Sequence, residues 1–443
     1  MCQGSIHSTT TPRTTSRRLA LGSNCKMSSR SSFIWDLQFP WASATQWIGG
    51  HFQSSSLGMM AASFGLEMDH VKSLRIATAD GIIQTVSPTN NPNLFKAVLG
   101  GGPGSWRVVH DYTVEPIKAA EYPNRAVFSY VWPYTHELLV ALGQKYVEIM
   151  SIPEIADDFF PLLIVSPPAQ APSKLGDFGH AIELSIYWSG KDNGSIFSLV
   201  DGIPTPNESY GKYIQPFKDI GEPLTVFDSP LPLHQIMAST SVDFNNDPFR
   251  YHVASISTDD FGLDENYWET VATEVNERLA IGNLYSSMQF QGYGGAGAGS
   301  KINRNLGLNS FPFRDLKIHF DDWVFFLDDD QEGVARDRVN GLRQNTRSCW
   351  RNNHGPESFW MTTPITEVED LTADDLYQKF YPDRNTFMAL MLVKEQVDPC
   401  NVFSSDTTIP PRENSNKRNC PSFEPLFKEE SNEVPAPSEK PWW

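Results

Sequence analysis

Two clusters of glycine in the first quarter of the chain are the residues best suited to hold a ligand. Gly49 and Gly50 form the first, and Gly100, Gly101 and Gly102, with Gly104 one step beyond Pro103, form the second. Glycine has no Cβ, so a run of them lets the polar atoms of a ligand reach the backbone at hydrogen-bonding distance. Between the clusters lies VKSLRIATADGIIQTV, Val71 to Val86, two β-rich runs split by Asp80-Gly81. That dipeptide supports the positive φ of a hairpin turn. After the second cluster, WRVVHDYTVEPI alternates like a strand running away from the site. The order of glycines, strands and turn reads as a cradle for a nucleotide cofactor.

Other candidate chemistries are weaker. Gly292, Gly294 and Gly297 have dinucleotide-binding spacing, but the SKINRNLGLNS that follows lacks the apolar pattern of a helix, so a flexible loop is expected. His319, Asp321 and Asp322 are possible metal ligands by type. Adjacent residues of a strand point to opposite faces, so a solvated strand end is expected instead, and no metal site. The cysteines Cys2, Cys25, Cys349, Cys400 and Cys420 are scattered and odd in number, which suggests neither a disulfide framework nor zinc. Sequons stand at Asn193 and Asn207 and carry meaning only in a secreted chain. No GxSxG elbow and no GxxxxGK[ST] loop occurs.

The segments FGLEMDHV (Phe64 to Val71), IATADG (Ile76 to Gly81) and NPNLFKAVLGGGPGSWRVV (Asn91 to Val109) follow one another in that order. Together they resemble the second half of the flavin-binding domain of the berberine-bridge-enzyme-like FAD-linked oxidoreductases. Further on, YPDRNTFMALMLVKEQVDPCNVF (Tyr381 to Phe403) resembles the closing segment of that family, and SFPFRD (Ser310 to Asp315) resembles a strand of its substrate domain. The resemblance implies an α+β fold: an incomplete PCMH-type FAD-binding domain with an inserted sheet-plus-helix substrate domain. Its parts would be an irregular N-terminal segment over 1–46, the second half of the FAD domain over 47–118, and the substrate domain over 119–375. Residues 376–405 would return to the FAD domain, and a flexible tail would occupy 406–443.

FAD is the cofactor so implied. Gly49 and Gly50 would open its cradle, backbone groups around Gly101, Gly102 and Gly104 and the strand at Val109 would line its adenine-diphosphate side, and Tyr381 and Asn385 would approach the isoalloxazine. The reaction implied is hydride transfer from a sugar or secondary-metabolite alcohol to the flavin, with a protein base taking the hydroxyl proton. The chain also departs from the family pattern. Residues 1–46 contain no phosphate-wrapping glycine loop, and His7, His51 and His70 do not sit where a flavin-linked histidine belongs. Arg107 replaces a family glycine, and SFWMTTP (Ser358 to Pro364) lacks the tyrosine-x-asparagine that supplies a base, so the catalytic residue is unassigned. A second reading therefore stands beside the enzyme: a non-catalytic remnant or binding protein that keeps the substrate domain without stable flavin.

The elements that must position these residues follow from periodicity. HELLVALGQKYVEIM (His136 to Met150), ENYWETVATEVNERLA (Glu265 to Ala280) and GVARDRVNGLRQN carry helical spacing, whereas AIELSIYWSG (Ala181 to Gly190) and LKIHFDDWVFFLDDD (Leu316 to Asp330) read as strands. Strands and helices inserted between two cofactor-domain segments suggest an α+β substrate unit. A net charge of −18 disfavours nucleic acid as a partner, and no apolar run is long enough to span a membrane; the small-molecule substrate is what the resemblance implies. Residues 1–35, rich in Ser, Thr and Arg and without acids, read as a transit-like leader or a mis-assigned start. No secretory signal is visible, so the compartment stays open, with secretion expected if the true N-terminus lies elsewhere.

Overall fold

The computed structural model describes residues 17–20, 37–38, 52–54, 57–59, 61–102, 104–106, 108–153, 159–166, 180–190, 196–201, 203–231, 235, 250–258, 262–281, 284–293, 307–314, 316–326, 328–354, 380–381, 383–404 and 408–412. A small antiparallel sheet holds Arg17–Ala20, Val108–Val114, Val71–Ala77 and Ile83–Val86 in that order. The hairpin of Val71–Ala77 and Ile83–Val86, at one edge, closes as Asp80-Gly81 predicts. Gly81 has φ +78°, and the Asp80 carboxylate accepts from Thr78 Oγ1 at 2.6 Å and from the Ile82 amide at 3.1 Å. Within the segment 1–46 the described residues are two short strands: Arg17–Ala20 pairs with Val108–Val114, and Leu37–Gln38 pairs with Ile117–Lys118. An open strand edge gains a full ladder from such a partner, which outweighs weak apolar periodicity.

A second sheet of seven antiparallel strands forms the larger unit. Its order is Thr225–Pro230, Asn124–Pro133, Ala181–Gly190, Phe159–Ser166, Tyr285–Gly292, Ile318–Phe326 and Arg250–Thr258. Helices cover one face. His136–Met150 starts where the sequence pattern places it, because Thr135 accepts the Leu138 amide at 3.1 Å and caps the first turn. Its Leu139, Leu142, Tyr146 and Ile149 fall on one side and are buried with Phe128, Leu184 and Phe290 of the sheet. Glu265–Ile281 crosses it closely: a Cβ on Gly143 would stand 2.1 Å from the Trp268 ring, so only glycine admits that indole. Ala335 and Val339 of Glu332–His354 pack on Ala254, Val324 and Phe326.

Between helix and sheet the packing encloses charge. Arg278 is wholly buried and grips Asp322 with two bonds, at 2.6 and 2.8 Å, while its Nε donates to Glu274 at 2.8 Å. Nearby His180, 2 % exposed, meets Ser286 Oγ at 3.2 Å, and burial followed by the charge of Arg278 lowers its pKa from 6.5 to about 4. The folded ring is therefore neutral where the unfolded one is already charged. Stability from His180 is present above pH 6.5 and is lost as the pH falls from 6.5 toward 4, by about 3 kcal/mol in all. Denaturant unfolding at stepped pH should show this acid limb. His180→Gln should flatten it, and an unchanged slope in that variant would rule the assignment out.

Candidate cofactor and substrate site

The second glycine cluster follows directly on the helix Pro92–Val98, where Gly100, Gly102 and Gly104 adopt φ of +87°, +90° and +76°. Only glycine takes three such values in five residues without strain. The resulting turn is fixed by distant segments. Gly100 and Gly102 both donate their amides to the Gln53 carbonyl, at 3.2 and 3.0 Å. Ser310 donates its amide to Leu99 at 2.8 Å and its hydroxyl to Lys96 at 2.9 Å, and Phe311 lies so near that a Cβ on Gly100 would stand 2.5 Å from its nitrogen. Arg314 forks onto Asp69 with two bonds of 2.8 Å and reaches Asn309 at 2.6 Å. Thus the SFPFR segment, the LEMDH turn and the glycine turn lock together across about 245 positions of sequence.

The closing segment completes the joint. Tyr381 is buried, stacks on Phe387 at 6.0 Å, and donates to the Gly100 carbonyl at 3.3 Å. From the helix Arg384–Val397 the wholly buried Lys394 donates to the Ser105 carbonyl at 2.7 Å, to Asp398 at 2.7 Å and to the Phe403 carbonyl at 2.5 Å. Asp398 in turn accepts the amides of Val402 and Phe403. Asp383 caps the helix through the amides of Asn385 and Thr386, which leaves Asn385 exposed on the first turn. Of the two residues assigned to the isoalloxazine by resemblance, Tyr381 therefore reaches the glycine turn while Asn385 lies at the helix start. Val109 is half-buried, pairs with Ile76 and packs against the same core.

The face of the large sheet opposite its helices meets that core through Val127, Phe160, Leu162, Tyr187 and Tyr293. Along it runs a polar chain. The Tyr293 hydroxyl donates to Gln291 at 2.7 Å, and Gln291 donates to Asp321 Oδ2 at 3.0 Å. Ser255 donates to Asp321 Oδ1, which also meets His319 Nε2 at 3.0 Å, and Ser257 lies 2.7 Å from His319 Nδ1. Burial alone would raise the Asp321 pKa, but the charge of His319 and the bonds from His319, Ser255 and Gln291 prevail and hold it below the usual carboxylate range. The solvated strand end expected at His319 to Asp322 is thereby corrected. His319 and Asp321 share one buried face and Asp322 turns to Arg278 on the other, so the alternation holds while both faces are covered. Among the described residues no cluster fit to hold a metal ion occurs.

Several residues named from sequence lie outside the described residues: Gly49, Gly50, Arg107, Gly294, Gly297, Asn193 and the segment 358–364. Cys400, read from sequence as part of no disulfide framework, is disulfide-bonded. The chain pattern contained no spacing signal for it, because a bridge is set by spatial approach and not by sequence separation.

The glycine turn fits a bound diphosphate in part. Gly104 is exposed and, among the described residues, a Cβ there would meet only Thr408, at 4.0 Å, which leaves that side of the backbone open to close approach. Trp106 Nε1 is buried without an acceptor among the described residues, a donor that a ligand oxygen could satisfy. By contrast, the amides of Gly100 and Gly102 already serve Gln53. The open side of the cradle is thus Gly104 and its neighbours.

No protein-family profile matches the chain. The fold is that of FAD-binding berberine-bridge-enzyme-like oxidases: a solved xylooligosaccharide oxidase from Myceliophthora thermophila, in complex with xylobiose, superposes with a TM-score of 0.67 at 16% identity, covering 92% of this chain and 80% of that one. Similarity in sequence points the same way. The chain is similar to the FAD-linked oxidoreductase patO of Penicillium expansum, 28% identical over 197 residues, which are 38% of this chain and 34% of the relative. It is also similar to berberine bridge enzyme-like 19 of Arabidopsis thaliana, 23% identical over 396 residues, 83% of this chain and 62% of that protein. The matched regions thus span about a third and about three-fifths of these relatives.

Proposed function

We propose that the chain is an FAD-linked oxidoreductase that oxidises the carbinol of a small sugar or secondary-metabolite alcohol. The observation that carries this reading is the Asp321 cluster, a charged carboxylate on the sheet face that joins the glycine-turn core. FAD, when bound, supplies the hydride acceptor, and dioxygen restores it. Backbone at Gly101 and Gly104, with Trp106, would hold the diphosphate beside Gly102, whose amide serves Gln53, and Val109, Tyr381 and Asn385 keep the places that the resemblance assigns. A substrate hydroxyl docked on Asp321 has its O–H bond polarised by the carboxylate. As the C–H electron pair leaves as hydride, the proton passes to the Asp321–His319 pair and the carbinol becomes a carbonyl. Gln291 and Tyr293 orient the carboxylate, and Ser255 and Ser257 hold the pair from the edge strand. We place the cofactor unit at 47–118 with 376–405, and the substrate unit at 119–375. The small-sugar class is supported by the xylobiose carried by the structural relative.

The second reading, a binding protein without stable flavin, is favoured by one observation: two glycine amides are turned to Gln53 and away from a ligand. Visible absorbance of the purified chain, before and after incubation with FAD and dialysis, separates the two. A retained flavin spectrum, together with dioxygen uptake on adding xylobiose or another small sugar, is the expected result. Protein that stays colourless after FAD loading would defeat the enzyme reading and leave the binding protein.

A further inference from the structure

Asn207 begins the helix Glu208–Tyr213, and its Oδ1 accepts the amides of Ser209 at 2.9 Å and Tyr210 at 3.3 Å. It is also the first residue of Asn207-Glu208-Ser209, an N-x-S sequon without proline. The flanking Thr205, Pro206 and Glu208 are exposed, and Asn207 and Ser209 are partly so. Among the described residues the strand before it, Ile203–Pro206, pairs with Phe197–Val200 alone, and this hairpin packs through Phe197 on Phe128, on the helix-covered face of the large sheet and not the face that carries Asp321. The sequon therefore lies on the surface, clear of the proposed site.

A second feature bears on the compartment. Cys400 is disulfide-bonded, and such bonds persist where the environment is oxidising, along the secretory route and outside the cell. That is the setting in which a sequon is used. We propose that Asn207 is an N-glycosylation site whose modified side chain still caps its helix. In the transfer, Asn207 Nδ2 attacks C1 of an oligosaccharide carried on a lipid diphosphate. The Nδ2–C1 bond forms, the C1–O bond to the diphosphate breaks, and one Nδ2 proton is released. The amide carbonyl is untouched, so the two lone pairs of Oδ1 continue to accept from Ser209 and Tyr210. The cap and the glycan use different atoms of one side chain.

The test expresses the full chain behind a secretory leader in a eukaryotic host and reads peptide masses with and without peptide-N-glycosidase F. The peptide containing residue 207 should carry a glycan, and enzymatic release should leave Asp at that position. Asn207→Asp, which keeps a capping oxygen, and Ser209→Ala, which keeps Asn207 itself, should each abolish the mass increment on that peptide without lowering the melting temperature. An unmodified Asn207 peptide in the secreted protein overturns the proposal. So does an increment that persists in either variant, or a glycan found on Asn193 alone.

Discussion

Asp321→Asn should lower turnover of the flavin-loaded protein roughly 100- to 10,000-fold, the span expected when a positioned base is removed. The amide still accepts from Ser255 and can still meet Gln291, so the sheet should hold and the loss should appear in kcat more than in KM. The sign of the pH dependence follows from the direction of the shift. Asp321 is held below the ordinary carboxylate range, so it is charged throughout the neutral region. Turnover should therefore rise as the pH climbs through the depressed Asp321 pKa, where the carboxylate becomes ionised, and level above it. His319→Gln should move that limb to higher pH, because the charge of His319 helps to hold the Asp321 pKa down while the glutamine keeps only a hydrogen bond to it. Undiminished turnover in Asp321→Asn would end the assignment of this cluster as the proton acceptor. Stability carries its own mark. The favourable ties to ionised Asp321 are present above its unfolded pKa, near 4, and are lost as the pH falls through the lower folded value.

Lys394→Met should destabilise the fold by about 3 to 5 kcal/mol, the cost of removing one partner from a buried ion pair. Both Lys394 and Asp398 are wholly buried, so the variant strands a carboxylate and also leaves the Ser105 and Phe403 carbonyls without their donor. Burial lowers the Lys394 pKa and the bond and charge of Asp398 oppose that, which marks the ammonium as dependent on its partner. Urea unfolding should show the midpoint falling with an unchanged slope. Adding Asp398→Asn should recover part of the loss, since a neutral amide costs less to bury alone than a carboxylate. If the single variant unfolds at the wild-type midpoint, the closing helix is not what secures the glycine turn.

How much of this was legible in the sequence depended on how local each cause is. The helices His136–Met150 and Glu265–Ile281 were readable because apolar spacing and a cap such as Thr135 act within a few residues. The hairpin at Asp80-Gly81 was readable for the same reason. The glycine turn and the closing segment were recognisable as motifs, but their joint was not. Gln53, Arg314 and Lys394 reach it from far along the chain, and nothing near any of them in sequence names its partner. His319 and Asp321 were misjudged because polar residues in a strand usually mark a wet face. Here the sheet is covered on both sides, and the i, i+2 pairing of an imidazole with a carboxylate was the signal that alternation alone did not weigh. The strand at Arg17–Ala20 was missed because its stability comes from the open edge of Val108–Val114, not from its own composition.

The bond from Lys394 to Ser105 joins positions 289 residues apart. A ribosome adding about 5 to 20 residues per second needs on the order of tens of seconds to make that length of chain. Until Lys394 emerges, the nascent glycine turn waits with its apolar neighbours uncovered, while the large sheet, made in between, can fold and bury its own core. Synthesis therefore builds the later-encoded unit first and seals the earlier one last, so a nascent chain stalled before residue 394 should depend on chaperones in a way that the finished molecule does not.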